Sequence, residues 1–134
     1  MAAIANYDAW LKMHGQDADR STAYNGRCWA RALLNRDLDR ALSDCNAALK
    51  LRPGYAAYLD SRALVQLRLG KLDAALADYD AAVKANPHNA WSLYARAMVQ
   101  QRLGKQDAAT ADRTAALAIN SAIAKRAARY GIDG

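Results

Sequence analysis

Apolar, small and polar positions along this chain recur at an interval of 34 residues. The run Leu72-Asp73-Ala74-Ala75-Leu76-Ala77-Asp78-Tyr79-Asp80-Ala81-Ala82-Val83 is echoed 34 positions later by Gln106-Asp107-Ala108-Ala109-Thr110-Ala111-Asp112. The same register 34 positions earlier reads Leu38-Asp39-Arg40-Ala41-Leu42-Ser43-Asp44-Cys45. Small residues return at Ala41, Ala75 and Ala109, and again at Ala48, Ala82 and Ala116. Gly70 and Gly104 share a slot between two helical stretches. Pro53 and Pro87 share another, which Ser121 fills the third time. A period of this length is the signature of stacked helical units, none of which can bury its apolar face alone. Each unit needs two helices of about 12–14 residues, a turn where glycine tolerates a left-handed backbone, and a proline that stops the second helix. Alanine on the facing stripes lets paired helices approach to the short end of the usual separation of about 8–10 Å.

These residues resemble the tetratricopeptide repeat family of bacterial type, and the resemblance extends over nearly the whole chain. It implies an all-α solenoid of antiparallel helix pairs. Three repeats are expected, at 21–55, 56–89 and 90–123. The first is one residue longer, because aligning Arg27 with Arg62 and Arg96 leaves an extra residue near Asn35. Upstream, Ile4-Ala5-Asn6-Tyr7-Asp8-Ala9 echoes Leu76-Ala77-Asp78-Tyr79-Asp80-Ala81, so residues 3–13 read as a half repeat with a linker up to residue 20. Trp10 stands in the slot of Ala82, and Tyr7, Trp10 and Leu11 are expected to be left uncovered, which favours self-association. Downstream, Ser121 is expected to cap a final helix through Tyr130, ended by Gly131. Ile123, Ala127 and Tyr130 would cover the last repeat, with Lys125, Arg126 and Arg129 facing away.

Composition narrows the function. Of 134 residues, 33 are alanine, two are proline and two are cysteine, which favours helices over a thick aromatic core and excludes a disulfide-built scaffold. No window approaches the apolar length of a membrane span, and the first residues, lacking a basic start followed by an apolar run, are not expected to act as a secretory signal. The net charge of +6 is spread over a mixed-sign surface without a basic run, which makes an anion or nucleic-acid binder the weakest of the readings. His14 and His88 sit in turns with no ligand partner at metal spacing, and no phosphate loop or nucleophile motif is present. Neither catalysis nor a cofactor or metal is expected.

Three constellations remain. Arg27, Arg62 and Arg96 on first helices can reach Asp44, Asp78 and Asp112 on the second helices of their own repeats. Cys28 and Cys45 lie across one helix hairpin, either as buried free thiols or as a disulfide that would point to an oxidising compartment such as the periplasm. In the family, first helices line a concave groove that holds peptides. The resemblance puts Asn25, Trp29, Ala32 and Leu33 there, with Asp60, Ser61, Leu64 and Arg68, and then Trp91, Tyr94, Met98 and Arg102. Trp29, Leu64 and Met98 would form an exposed apolar strip, or alternatively pack between helices. The Lys and Asn clamp that some members use for acidic C-termini is absent, since Asn25, Trp29, Ser61, Trp91 and Ala95 hold its slots. The expected function is a protein-binding adaptor, with homo-oligomerisation as the alternative.

Overall fold

A computed structural model of the chain describes residues 2–13 and 20–132. The described residues form eight helices: α1 (Ala2–Met13), α2 (Arg20–Leu34), α3 (Leu38–Leu51), α4 (Ala56–Arg68), α5 (Leu72–Ala85), α6 (Ala90–Arg102), α7 (Gln106–Ile119) and α8 (Ile123–Arg129). The pairs α2 with α3, α4 with α5, and α6 with α7 pack most extensively, and α3 with α4 and α5 with α6 join one pair to the next. This is an all-α stack of antiparallel hairpins. His14 and the linker at 15–19 lie outside the described residues, while His88 is exposed in the turn after α5.

Small residues make the close approach possible. Ala41, Ala63, Ala75 and Ala97 are all fully buried, so a bulkier side chain at any of them would overpack the hairpin. The turns follow the glycine logic at two places. Gly70 and Gly104 adopt φ of 78° and 80°, the left-handed conformation that ends α4 and α6. In the first hairpin Asn35 takes that role with φ 54°, and Asp37 adds a second left-handed residue at φ 48° before α3 begins. The extra residue near Asn35 is thus absorbed in a longer turn.

Each repeated arginine makes a rung. Arg27 donates to Asp44 through Nε and Nη2 at 2.7 and 2.6 Å, Arg62 to Asp78 at 2.7 and 2.9 Å, and Arg96 to Asp112 at 2.6 and 2.8 Å. The remaining nitrogen Nη1 reaches back to the preceding second helix: Asp8 at 2.6 Å, Asn46 at 3.1 Å and Asp80 at 3.1 Å. One guanidinium therefore holds three helices, which exceeds the intra-repeat pair expected from the spacing. Asp8 stands to Arg27 as Asp80 stands to Arg96. The carboxylate hydrogen bonds raise the pKa of all three arginines against the opposing effect of burial.

In the first hairpin the sulfurs of Cys28 and Cys45 are bonded, with Cα atoms 5.6 Å apart. The bond closes a loop with a sequence separation of 17, and cross-links of that size stabilise by about 3 kcal/mol through the unfolded chain. Urea unfolding with and without reductant should show that loss; identical midpoints would mean that the bond contributes nothing.

Both ends differ from expectation. At the N-terminus α1 packs on α2. Leu11 is buried, and Tyr7 lies so close to Gly26 that a Cβ there would sit 2.3 Å from the ring. Leu11 and Tyr7 of the stripe expected to be uncovered therefore face α2, while Trp10 stays part-exposed beside an apolar hollow. At the C-terminus Ser121 does not cap α8; Asn120 Oδ1 instead accepts the N–H of Ala122 at 3.0 Å, and the helix spans Ile123–Arg129. Gly131 does end it, with φ 73°.

Candidate functional site on the concave face

The first helices α2, α4 and α6 carry the residues expected to line a groove, and α8 decides how much of that groove is open. Ile123, Ala127 and Ile132 belong to the same buried cluster as Leu64, Trp91, Tyr94 and Met98. Leu64 is fully buried, Met98 is 2% exposed, and Trp91 and Tyr94 are 6% and 7% exposed. The expected open strip is therefore core from Leu64 onward. Arg126, expected to face away, instead stacks its guanidinium over the Trp91 ring at 5.2 Å, a favourable cation–π geometry.

Arg68 is likewise structural. It donates to the carbonyls of Ala32 at 3.1 Å, Leu33 at 3.2 Å and Tyr130. These carbonyls end α2 and α8, where the helix dipole favours a cation, and burial lowers the Arg68 pKa. The segment after α8 is thereby fastened across the C-terminal ends of α4 and α2. Leu33 is half-buried against the core, and Arg102 is exposed at the rim beside Arg68.

What remains open is the N-terminal half. A cleft of about 370 Å³ is walled by Tyr7 of α1, Asn25 and Trp29 of α2, Asp60 and Ser61 of α4, and Asn89 before α6. Thr22, Gly26 and Ala57 complete the described lining, and four of its nine residues, Asn25, Trp29, Asp60 and Ser61, come from those expected in the groove. The absence of a side chain at Gly26 lets α1 approach and makes Tyr7 a wall of the cleft. Trp29 stands edge-on to Trp91, centroids 5.5 Å apart, which fixes the second aromatic wall. Asn89 caps α6 by accepting the N–H groups of Trp91 and Ser92 at 3.0 and 3.3 Å. Ser61 spends its hydroxyl on the Ala57 carbonyl at 3.1 Å.

Asp60 carries the chemistry of this cleft. It is 8% exposed, and its Oδ1 accepts the Ser92 hydroxyl at 2.7 Å. Burial pushes its carboxyl up to about 6, against the smaller opposing effect of the Ser92 hydrogen bond. Beneath it the Tyr79 hydroxyl is buried without a partner, and burial and the Asp60 charge hold it un-ionised. Asn25 Oδ1 and Trp91 Nε1 are also buried without partners. Ser92 is closed in behind Asp60, only 2% exposed, so it presents no nucleophile. Among the described residues no cluster of His, Cys, Asp or Glu could hold a metal, and no helix is long and apolar enough to cross a membrane.

The raised Asp60 carboxyl has a consequence for stability. The folded chain holds this proton more tightly than the unfolded chain, whose carboxyl titrates near 3.8. Its contribution is therefore full below about pH 4 and is lost as pH rises through about 6. A shift of that size corresponds to about 3 kcal/mol. The urea stability of the protein minus that of Asp60→Asn should rise by about that amount between pH 7.5 and 4. A difference that stays flat with pH would show the carboxyl to be unperturbed.

Comparison with known proteins agrees with the architecture. Residues 65–104 match the family model described as TPR repeat. No curated protein matches the chain by sequence. Among solved structures it is similar to a thermophilic TPR protein of Thermus thermophilus, at 23% identity and a TM-score of 0.76, covering 98% of this chain and 74% of that one. The chain thus carries a tetratricopeptide repeat at residues 65–104 and takes the tetratricopeptide-repeat fold.

Proposed function

We propose that this chain is a protein-binding module that takes a segment of a partner protein into the cleft between α1, α2 and α4. The tetratricopeptide-repeat fold generally serves protein–protein interaction, and proteins built on it are typically non-enzymatic scaffolds. The observation that carries the finer reading is the contrast along the concave face. Its C-terminal half is filled by α8, while Asn25, Trp29, Asp60 and Ser61 still border open space. Aromatic walls beside a few buried polar groups are the usual make-up of a recognition site.

A random peptide library displayed on phage and selected against the folded protein tests this. Ala57 is exposed at the cleft wall, so Ala57→Arg should block the cleft and leave unfolding unchanged. Selected peptides should share a motif and lose at least about tenfold in affinity for that variant. No enrichment, or enrichment that Ala57→Arg leaves untouched, overturns the reading. Self-association is the second reading, favoured by an apolar hollow of about 420 Å³ bordered by Asn6, Tyr7, Trp10, Thr22 and Ala23. Light scattering at high concentration decides it, a constant monomer mass removing it.

A further inference from the structure

The proposed cleft has acceptors and no cation. Asp60 is more than nine-tenths buried, yet no salt bridge reaches it from any described residue. Its Oδ1 is bound by Ser92, and its Oδ2 accepts nothing among the described residues while the side chain borders open space. The described lining of the cleft contains no lysine or arginine. Buried carboxylates in folded proteins are ordinarily paired, because desolvating an unpaired charge is expensive. The other buried carboxylates among the described residues obey that rule: Asp44, Asp78 and Asp112 each face an arginine at 2.6–2.7 Å.

Position within the repeat sharpens the contrast. With the one-residue slide of the first repeat, Asn25, Asp60 and Tyr94 hold the same slot of successive first helices. Asn25 Oδ1 is a second acceptor left without a partner. The rings of Tyr7 and Trp29 stand on the same cleft, and aromatic faces favour a cation over an anion. The carboxylate selects positive charge, the aromatic rings accommodate it, and the buried Asn25 Oδ1 adds a neutral acceptor. The net charge of +6 is screened beyond about 8 Å at physiological ionic strength, so recognition here is governed by the local lining.

We propose that the cleft receives a lysine or arginine side chain of the partner segment, with the cationic head against Asp60 and its apolar stem between Tyr7 and Trp29. The inference rests on the protein-binding reading and adds the chemistry of the partner. It reverses the polarity of the Lys and Asn clamp, which takes carboxylates. A carboxylate-bearing segment would meet Asp60 head-on and be rejected.

The test uses the full chain and small probes: the N-acetyl, N-methylamide derivatives of arginine, lysine, leucine and glutamate, and alanine N-methylamide with a free amino terminus. Each is titrated while the Trp29 indole N–H and Ser61 amide are followed by NMR. Arginine or lysine should give saturable shifts, leucine and glutamate none, and Asp60→Asn should weaken the cationic probe at least tenfold. Saturation by the free amino terminus alone would reassign the site to chain ends and overturn the side-chain proposal. Equal binding by the protein and Asp60→Asn, or no saturation by either cation, also overturns it. The phage selection separates the two levels of failure. Cleft-dependent peptides without lysine or arginine sink only this inference, whereas the absence of any cleft-dependent peptide sinks the binding reading itself.

Discussion

Asp44→Ala is expected to destabilise the chain by about 3–5 kcal/mol, more than the same change at either equivalent aspartate. Asp44 accepts two hydrogen bonds from Arg27 and a third from Arg31 Nη1 at 2.9 Å. Arg31 and Asp44 side chains are only 8% and 6% exposed. Deleting the carboxylate leaves a buried guanidinium with no counter-charge, and that uncompensated charge sets the cost. Asp112 pairs with Arg96 alone among the described residues, and Arg96 is 19% exposed and keeps Asp80 at 3.1 Å. Asp112→Ala should therefore cost about 1–2 kcal/mol, nearer the range of partly solvated pairs. Urea unfolding of the two variants checks the ordering. Equal losses would show that Arg31 adds nothing to the first rung.

Replacing Ile123 and Ile132 together by alanine is expected to cost about 4 kcal/mol, from roughly 2 or more for each buried isoleucine. Their exposures are 1% and 2%. Leu117→Ala with Ile119→Ala on the adjacent helix is the matched control, because those side chains are 38% and 45% exposed. That pair should cost under about 1 kcal/mol. Repeat arrays unfold from their ends, so the loss should register first in α8, with amides of 123–130 losing protection from exchange. Similar behaviour of the two double variants would mean that α8 is not docked.

The residues that repeat were legible in sequence, and those that break the repeat were not. Ala41, Ala75 and Ala109 recur because every hairpin needs the same close approach, and the recurrence exposed both the helices and the Arg–Asp pairing. The outer partners Asn46 and Asp80 are also 34 residues apart, a signal that finds the second half of the second and third rungs. Arg68 misled for the opposite reason. It shares a slot with Arg102, so it reads as groove decoration, and only the carbonyls of Leu33 and Tyr130 reveal that it fastens two helix ends. The burial of Trp91 and Tyr94 depends on where α8 turns after Asn120, a tertiary choice that no local pattern encodes. Position in the repeat places Asp60 among the groove residues, but its lack of a cation is a property of three helices together. Its signal was the departure itself, a carboxylate where the neighbouring repeats hold Asn25 and Tyr94.

Which half of the concave face is open decides where a partner can bind. The direct measurement is a set of nuclear Overhauser contacts between the Arg126 methylenes and the Trp91 indole protons, recorded with hydrogen exchange of the α8 amides. The stacked geometry at 5.2 Å leads to strong cross-peaks and amides at 126–130 that exchange far more slowly than in an unfolded chain. Absent cross-peaks, with those amides exchanging at the unfolded rate, would contradict the closed half and return Trp91, Tyr94 and Met98 to an open groove.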